Sequence, residues 1–350
     1  MALNHGGDTE SFRLKMGYTP IDFSASCNPL GVPDGVKRAI CQAAENADAY
    51  PDPLCRRLRA AIAGQEGVLT EQVLCGNGSA DLIYRLVLAV KPKRAVVTAP
   101  AFVEYEAALG TAGCEVIYHT LARADGFDVT ESILERLTPD IGMLFLCNPN
   151  NPTGRTIDHA LLQRIFQICE KNGILLIVDE CFNGFLDDPE AHMLKGRLGS
   201  PNLLILKAFT KLYGMAGVRL GYCLADGALL ASMQKAGQPW AVSSLAQAAG
   251  IAALNEQEYV QRARRLIREE KAYLITALQS LGITVLGAAA NYIFFYTQMP
   301  ALIERLYAQG ILIRDCANFA GLGAGYYRIA VRTHGENARL VAALNRAEQL

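Results

Sequence analysis

The chain has 350 residues, 51% hydrophobic and 19% charged, and its 33 basic against 34 acidic side chains leave a formal net charge of -1 at pH 7. That length predicts a large domain with a smaller one, and the near-zero charge argues against nucleic acid as main partner, which calls for a basic excess or stripe. Ten cysteines are scattered without a Cys-x-x-Cys pair or a Cys/His cluster at zinc spacing, so they read as reduced thiols with no metal, and a polar start without any apolar run of membrane length points to the cytoplasm.

Residues 1–33 read as an amino-terminal arm. From there to about residue 235 the pattern is that of a large α/β domain. Short apolar runs at 94–98, 115–118, 143–147, 174–178, 203–206 and 220–224 are predicted strands, separated by helical stretches. Strands spaced by helices imply a mostly parallel sheet covered on both faces. Residues 236–350 form a smaller α+β unit: a long helical stretch at 245–281, then strand-like 290–296 and 326–331. The charge run 262–271 has mixed signs and is expected to pair at i,i+4 on a solvated helix face.

Four segments fall at predicted strand ends, where open parallel sheets place ligands. Gly76-Asn77-Gly78-Ser79 follows strand-like 73–75 and precedes a helix at 81–90. Its glycines permit close backbone approach and the helix start offers free N–H groups, so it is either a phosphate cradle or a plain strand-to-helix turn. In Asn148-Pro149-Asn150-Asn151-Pro152-Thr153-Gly154 two prolines fix the backbone and could hold the Asn151 amide rigidly in a cleft, or simply make a tight turn. Asp179-Glu180 ends a buried strand; Asp179 either pairs with a cationic ring nitrogen or caps a helix. The fourth segment runs from Ala208-Phe209-Thr210-Lys211 to Arg219, and a lysine among apolar and small residues is either a Schiff-base nucleophile or a structural side chain. Arg219, eight residues on, could return to bind phosphate.

Together these segments resemble the aminotransferase-like, fold-type I family of pyridoxal 5′-phosphate enzymes along nearly the whole chain. The resemblance implies that Lys211 carries the cofactor as a Schiff base, Asp179 pairs with the pyridine nitrogen and Asn151 bonds the phenolic oxygen. It further implies that Gly78, Ser79, Thr210 and Arg219 hold the cofactor phosphate and that Phe102, in Ala99-Pro100-Ala101-Phe102, stacks on the ring. Tyr50, in Tyr50-Pro51-Asp52, is similar to the tyrosine that reaches the neighbouring subunit's phosphate, which implies a homodimer with shared sites. Two positions depart from the pattern: Phe182 stands where many relatives have a tyrosine, and Ala208 where a serine or threonine is usual.

Within the family the chain most resembles the threonine-phosphate decarboxylases of cobalamin biosynthesis, with the histidinol-phosphate aminotransferases next. The marks are Asn4-His5-Gly6-Gly7, the segment Asp22 to Gly31 containing Asn28-Pro29-Leu30-Gly31, Phe182, Gln238-Pro239-Trp240-Ala241-Val242, and Ile313-Arg314-Asp315-Cys316-Ala317-Asn318-Phe319. This resemblance puts Arg328 on the substrate α-carboxylate and Arg314 on its phosphate, with His5 and Asn28 assisting; Arg332, on the same strand face as Arg328, is a further candidate. The implied reaction is decarboxylation of O-phospho-L-threonine, or of the smaller O-phospho-L-serine, to an amino-alcohol phosphate for the cobalamin nucleotide loop. The alternative is amino transfer, and residue types alone do not separate the two.

Overall fold

A computed structural model describes residues 5–348. Asn4, the first residue of the Asn-His-Gly-Gly mark, lies outside the described residues. In chain order the elements are α1 (Thr9–Met16), β1 (Ile21–Asp22), α2 (Asp34–Ala44), α3 (Arg56–Glu66), β2 (Val73–Gly76), α4 (Gly78–Val90), β3 (Arg94–Ala99), α5 (Glu104–Thr111), β4 (Glu115–Thr120), β5 (Met143–Cys147), α6 (His159–Asn172), β6 (Leu175–Asp179), β7 (Leu203–Ala208) and α7 (Phe209–Leu212). The chain continues with β8 (Gly221–Ala225), α8 (Gly227–Ala236), α9 (Ser244–Ala253), α10 (Gln257–Ser280), β9 (Thr284–Gly287), β10 (Tyr292–Tyr296), α11 (Leu302–Tyr307), β11 (Ile311–Leu312), β12 (Arg314–Asp315), β13 (Tyr326–Ala330) and α12 (His334–Glu348).

Seven strands form one sheet in the order β2-β8-β7-β6-β5-β3-β4, parallel throughout except for β8, which runs against both its neighbours. Every residue of β5 and β6 is buried, because helices cover both faces and no side of these strands meets water. α6 shows how the sequence sets the covering helices: Asp158 caps its start by accepting from Leu161 N–H, and Gly173 ends it at φ 70°. The parallel strands β3, β5, β6 and β7 all deliver their carboxyl ends to one edge of the sheet, and the site assembles there.

The second sheet, β12-β13-β10-β9, is antiparallel. The arm is laced to this half: β1 pairs in parallel with β11, and Ala330 N–H donates to the Phe23 carbonyl at 2.8 Å. This brings the arm to the mouth of the site.

Three expectations change. The helical stretch at 245–281 is two helices, α9 and α10, broken where the Asn255 side chain takes the Ile251 carbonyl at 3.2 Å and competes with the backbone ladder. Val242, Ala246, Ala249, Ala253, Tyr259 and Val260 pack into the core of the large sheet, so the core changes hands along α10 and not at residue 236. The charge run on α10 does not pair within itself. Arg264 Nε donates to the Gly184 carbonyl at 2.8 Å, Arg268 pairs with Asp187 at 2.6 Å, and Lys271 Nζ donates to the Ala289 and Ala290 carbonyls at 3.0 and 3.1 Å. These cations bind carbonyls and a carboxylate beyond their own helix.

Candidate active site

A cavity of about 140 Å³ opens where the carboxyl ends of the parallel strands meet the arm and the second sheet. His5, Ser79, Phe102, Asn151, Asp179, Lys211, Arg314 and Arg328 all line it, so the structure brings together eight of the residues singled out in the sequence. Its walls carry Lys211 and two arginines against one acid, Asp179, a balance suited to a ligand with several negative charges.

Lys211 is the third residue of α7, a single turn entered directly from β7, and it stands half-buried with Nζ 5.7 Å from the centroid of the Phe182 ring. Phe182 in turn meets Tyr292 edge-on at 5.0 Å. Phe182 therefore gives the lysine an apolar neighbour on this side.

Asp179 is the last residue of β6 and 4% exposed. Its Oδ1 accepts the Cys181 N–H at 3.0 Å and its Oδ2 accepts the Tyr105 hydroxyl at 2.6 Å. Two donors make burial of the carboxylate tolerable and still leave lone pairs for a cationic partner in the cavity. Tyr105, fully buried and stacked on Phe145 at 4.9 Å, was not found by sequence reasoning; its position three residues after Phe102 was the one available signal. Burial and the Asp179 charge push its hydroxyl well above the ordinary tyrosine range, so it remains a donor.

Asn151 sits in the loop after β5. Asn148 Oδ1 accepts the Ile157 N–H at 3.0 Å, Asn150 Nδ2 donates to the Pro100 carbonyl at 3.0 Å, and the Tyr292 hydroxyl donates to the Asn150 carbonyl at 2.7 Å. The Asn151 oxygen accepts from Arg328 Nη1. That contact fixes the amide's orientation and leaves Nδ2 as the group offered to a ligand oxygen.

Arg328 on β13 and Arg314 on β12 are register partners across the second sheet. Arg328 Nη2 donates to the Ser24 carbonyl at 2.8 Å. Arg314 donates from Nη2 to Asn318 Oδ1 at 2.9 Å and from Nη1 to the Asp315 carbonyl at 2.8 Å, with its guanidinium 4.9 Å from the Phe319 ring centroid. The Cys-Ala-Asn-Phe mark thus builds the seat of Arg314.

Gly78, at φ 82°, takes a conformation L side chains rarely adopt, and a Cβ there would stand 2.5 Å from Arg219 Nη2. A Cβ on Gly221 would stand 2.6 Å from the Ser79 nitrogen. The missing side chains let Arg219 and the start of α4 approach one another; Thr210 is buried in α7.

Gly78, Thr210 and Arg219 do not line the cavity, and neither do three other candidates. Asn28 does not line the cavity: its Nδ2 donates to the Leu212 carbonyl at 2.6 Å and its Oδ1 accepts the Leu30 N–H at 3.0 Å, so it braces the turn after Lys211. Arg332 also stays outside, bound to the Asp22 carbonyl at 2.9 Å and to Glu336 at 2.6 Å. Tyr50 is 83% exposed and packs on Trp240 at 5.0 Å, away from this chain's own cavity.

Known proteins resemble this chain along most of its length. The chain is 40% identical to a threonine-phosphate decarboxylase of Salmonella typhimurium, covering 97% of this chain and 95% of that one. It is 36% identical to a histidinol-phosphate aminotransferase of Symbiobacterium thermophilum, over 98% and 94%. The histidinol-phosphate aminotransferase of Sinorhizobium meliloti, solved in complex with pyridoxal-5′-phosphate, superposes with a TM-score of 0.88 at 23% identity over 99% and 96% and shows the same fold. Residues 18–344 match the family described as aminotransferase class I and II, and the chain belongs to that family.

Proposed function

We propose that this chain holds pyridoxal 5′-phosphate on Lys211 and decarboxylates O-phospho-L-threonine. The residues present fit the cofactor: a lysine amine in the cavity, a doubly supported carboxylate for the ring nitrogen, an oriented amide for the phenolic oxygen, Phe102 for the ring face, and a Cβ-free turn with Ser79, Thr210 and Arg219 for the phosphate. Bound there, the cofactor supplies an electron sink for a bond broken at Cα.

The observation that carries the substrate is the placement of Arg314 and Arg328 as register partners in one cavity with Lys211 and His5. Arg328 suits the α-carboxylate and Arg314 the phosphate, because a guanidinium binds either anion through two parallel N–H groups. Lys211 is placed to hold the proton that Cα takes up once carbon dioxide has left. Tyr50, exposed beside Trp240, supports a homodimer in which it reaches the neighbouring subunit's cofactor phosphate.

The test is incubation of the purified holoenzyme with O-phospho-L-threonine and, in parallel, O-phospho-L-serine, without any 2-oxo acid. Carbon dioxide release and an amino-alcohol phosphate are expected. The 36% identity to a histidinol-phosphate aminotransferase favours amino transfer as the second reading, and transfer to 2-oxoglutarate at a comparable rate would establish it instead.

A further inference from the structure

Residues 5–7, the start of the described arm, are held by side chains at two points. Gly7 N–H donates to Ser24 Oγ at 2.7 Å, and that hydroxyl donates to Asp22 Oδ1 at 2.5 Å. Gly6 packs so closely on Ser24 that a Cβ would stand 2.3 Å from the Ser24 carbonyl oxygen. The second contact is His5 Nε2 with Glu104 Oε1 at 2.8 Å, while Glu104 Oε2 accepts the Tyr84 hydroxyl at 3.1 Å.

Glu104 is the first residue of α5, directly after Phe102 and Val103, which both line the cavity; Glu104 itself does not. The His5 ring lies 6.1 Å from Phe102. A carboxylate can only accept, so this contact puts a proton on Nε2, and the ring meets an anion through Nδ1 when that nitrogen carries a proton as well, as an imidazolium that Glu104 stabilises. A half-exposed side chain samples many rotamers when unheld, and fixing it beforehand removes that ordering cost from binding.

We propose that Glu104 is a positioning residue for phosphate recognition: braced by Tyr84, it holds His5 at the cavity mouth so that the imidazole meets the substrate phosphate together with Arg314. This rests on the reading of His5 and Arg314 as the phosphate end of the site.

The test uses the holoenzyme and two measurements, calorimetric titration with inorganic phosphate and steady-state kinetics with O-phospho-L-threonine. Glu104→Ala should weaken phosphate binding about ten-fold, the scale of one hydrogen bond to a charged group, and the loss should appear in KM more than in kcat. Glu104→Gln, whose amide oxygen still accepts from Nε2, should recover most of the affinity. In a His5→Ala background Glu104→Ala should add nothing, because the residue acts through His5. Unchanged phosphate affinity in Glu104→Ala, or the same loss with and without His5, overturns the inference. Because phosphate binding is read without turnover, a chain that binds phosphate in this Glu104-dependent way yet does not decarboxylate refutes the substrate and keeps the positioning role.

Discussion

The Tyr105 hydroxyl donates a 2.6 Å hydrogen bond to Asp179 Oδ2 in a region where both side chains are buried. With the Cys181 N–H on Oδ1, the carboxylate proposed for the cofactor ring nitrogen is held from two sides. Tyr105→Phe removes one donor and keeps the ring stacked on Phe145. A hydrogen bond to a charged group contributes about 1.5–3 kcal/mol, so kcat should fall about ten-fold or more and the cofactor should bind more loosely. Kinetics and cofactor titration of the variant check both.

Lys211→Ala removes the amine that lines the cavity. The purified variant should lose the visible absorbance of lysine-bound cofactor and its decarboxylation should fall to background. The groups around Asp179 and Asn151 are untouched, so reversible cofactor uptake should persist in equilibrium dialysis.

Arg314→Lys keeps a positive charge and loses the planar fork that Asn318 and the Asp315 carbonyl hold in place. A lysine is a point charge without bidentate geometry. KM for O-phospho-L-threonine should rise about ten-fold or more, the effect of about 1.4 kcal/mol, and inhibition by inorganic phosphate should weaken in parallel. An unaltered KM would remove Arg314 from the phosphate end.

Gly78→Ala places a methyl group against the Arg219 guanidinium at φ 82°. The left-handed conformation alone costs about 1–2 kcal/mol for an alanine. Cofactor affinity should drop more than thermal stability of the cofactor-free chain, since Arg219 must retreat from the turn it serves. Titration and melting of the same variant separate the two effects.

Burial pushes the Glu180 carboxyl up to about 8. In the unfolded chain it titrates near ~4.3. Between those values the folded chain keeps a proton that the unfolded chain has lost, so this group's contribution to stability is present below ~4.3 and is lost as pH rises through about 8. Glu180→Gln removes that dependence: melting temperatures at pH 6 and 8.5 should lie closer together in the variant, with a gain on the order of 2–3 kcal/mol at the alkaline end.

Much of this site was legible because it depends on local rules. A buried apolar run followed by Asp179, a proline-braced Asn151 loop and a glycine turn at Gly78 each announce a strand end, and the family resemblance tied them to one cofactor. What stayed hidden depends on distant packing. Tyr105 looked like any core aromatic until the fold set it 2.6 Å from an acid 74 residues away. Asn28, in a motif that suggested ligand contact, spends its amide on the Leu212 carbonyl, a partner 184 residues distant. The charges of 262–271 obeyed a helix-face rule in sequence, but carbonyls and an acid beyond the helix took them up.

Asp179 and Glu180 are consecutive carboxylates with opposite destinations. Asp179 opens on the cavity, whereas Glu180 turns to the other side, with Oε2 3.7 Å from Lys207 Nζ, itself bound to Glu66 at 2.9 Å. Alternation at the end of β6 decides which acid is offered to the cavity. Lengthening the connection through α6 would leave that parity untouched; one residue inserted within β6 would exchange the two acids, sending the longer side chain into the cavity and the shorter one toward Lys207. The length of that short strand is therefore constrained in a way that the length of the α6 connection is not.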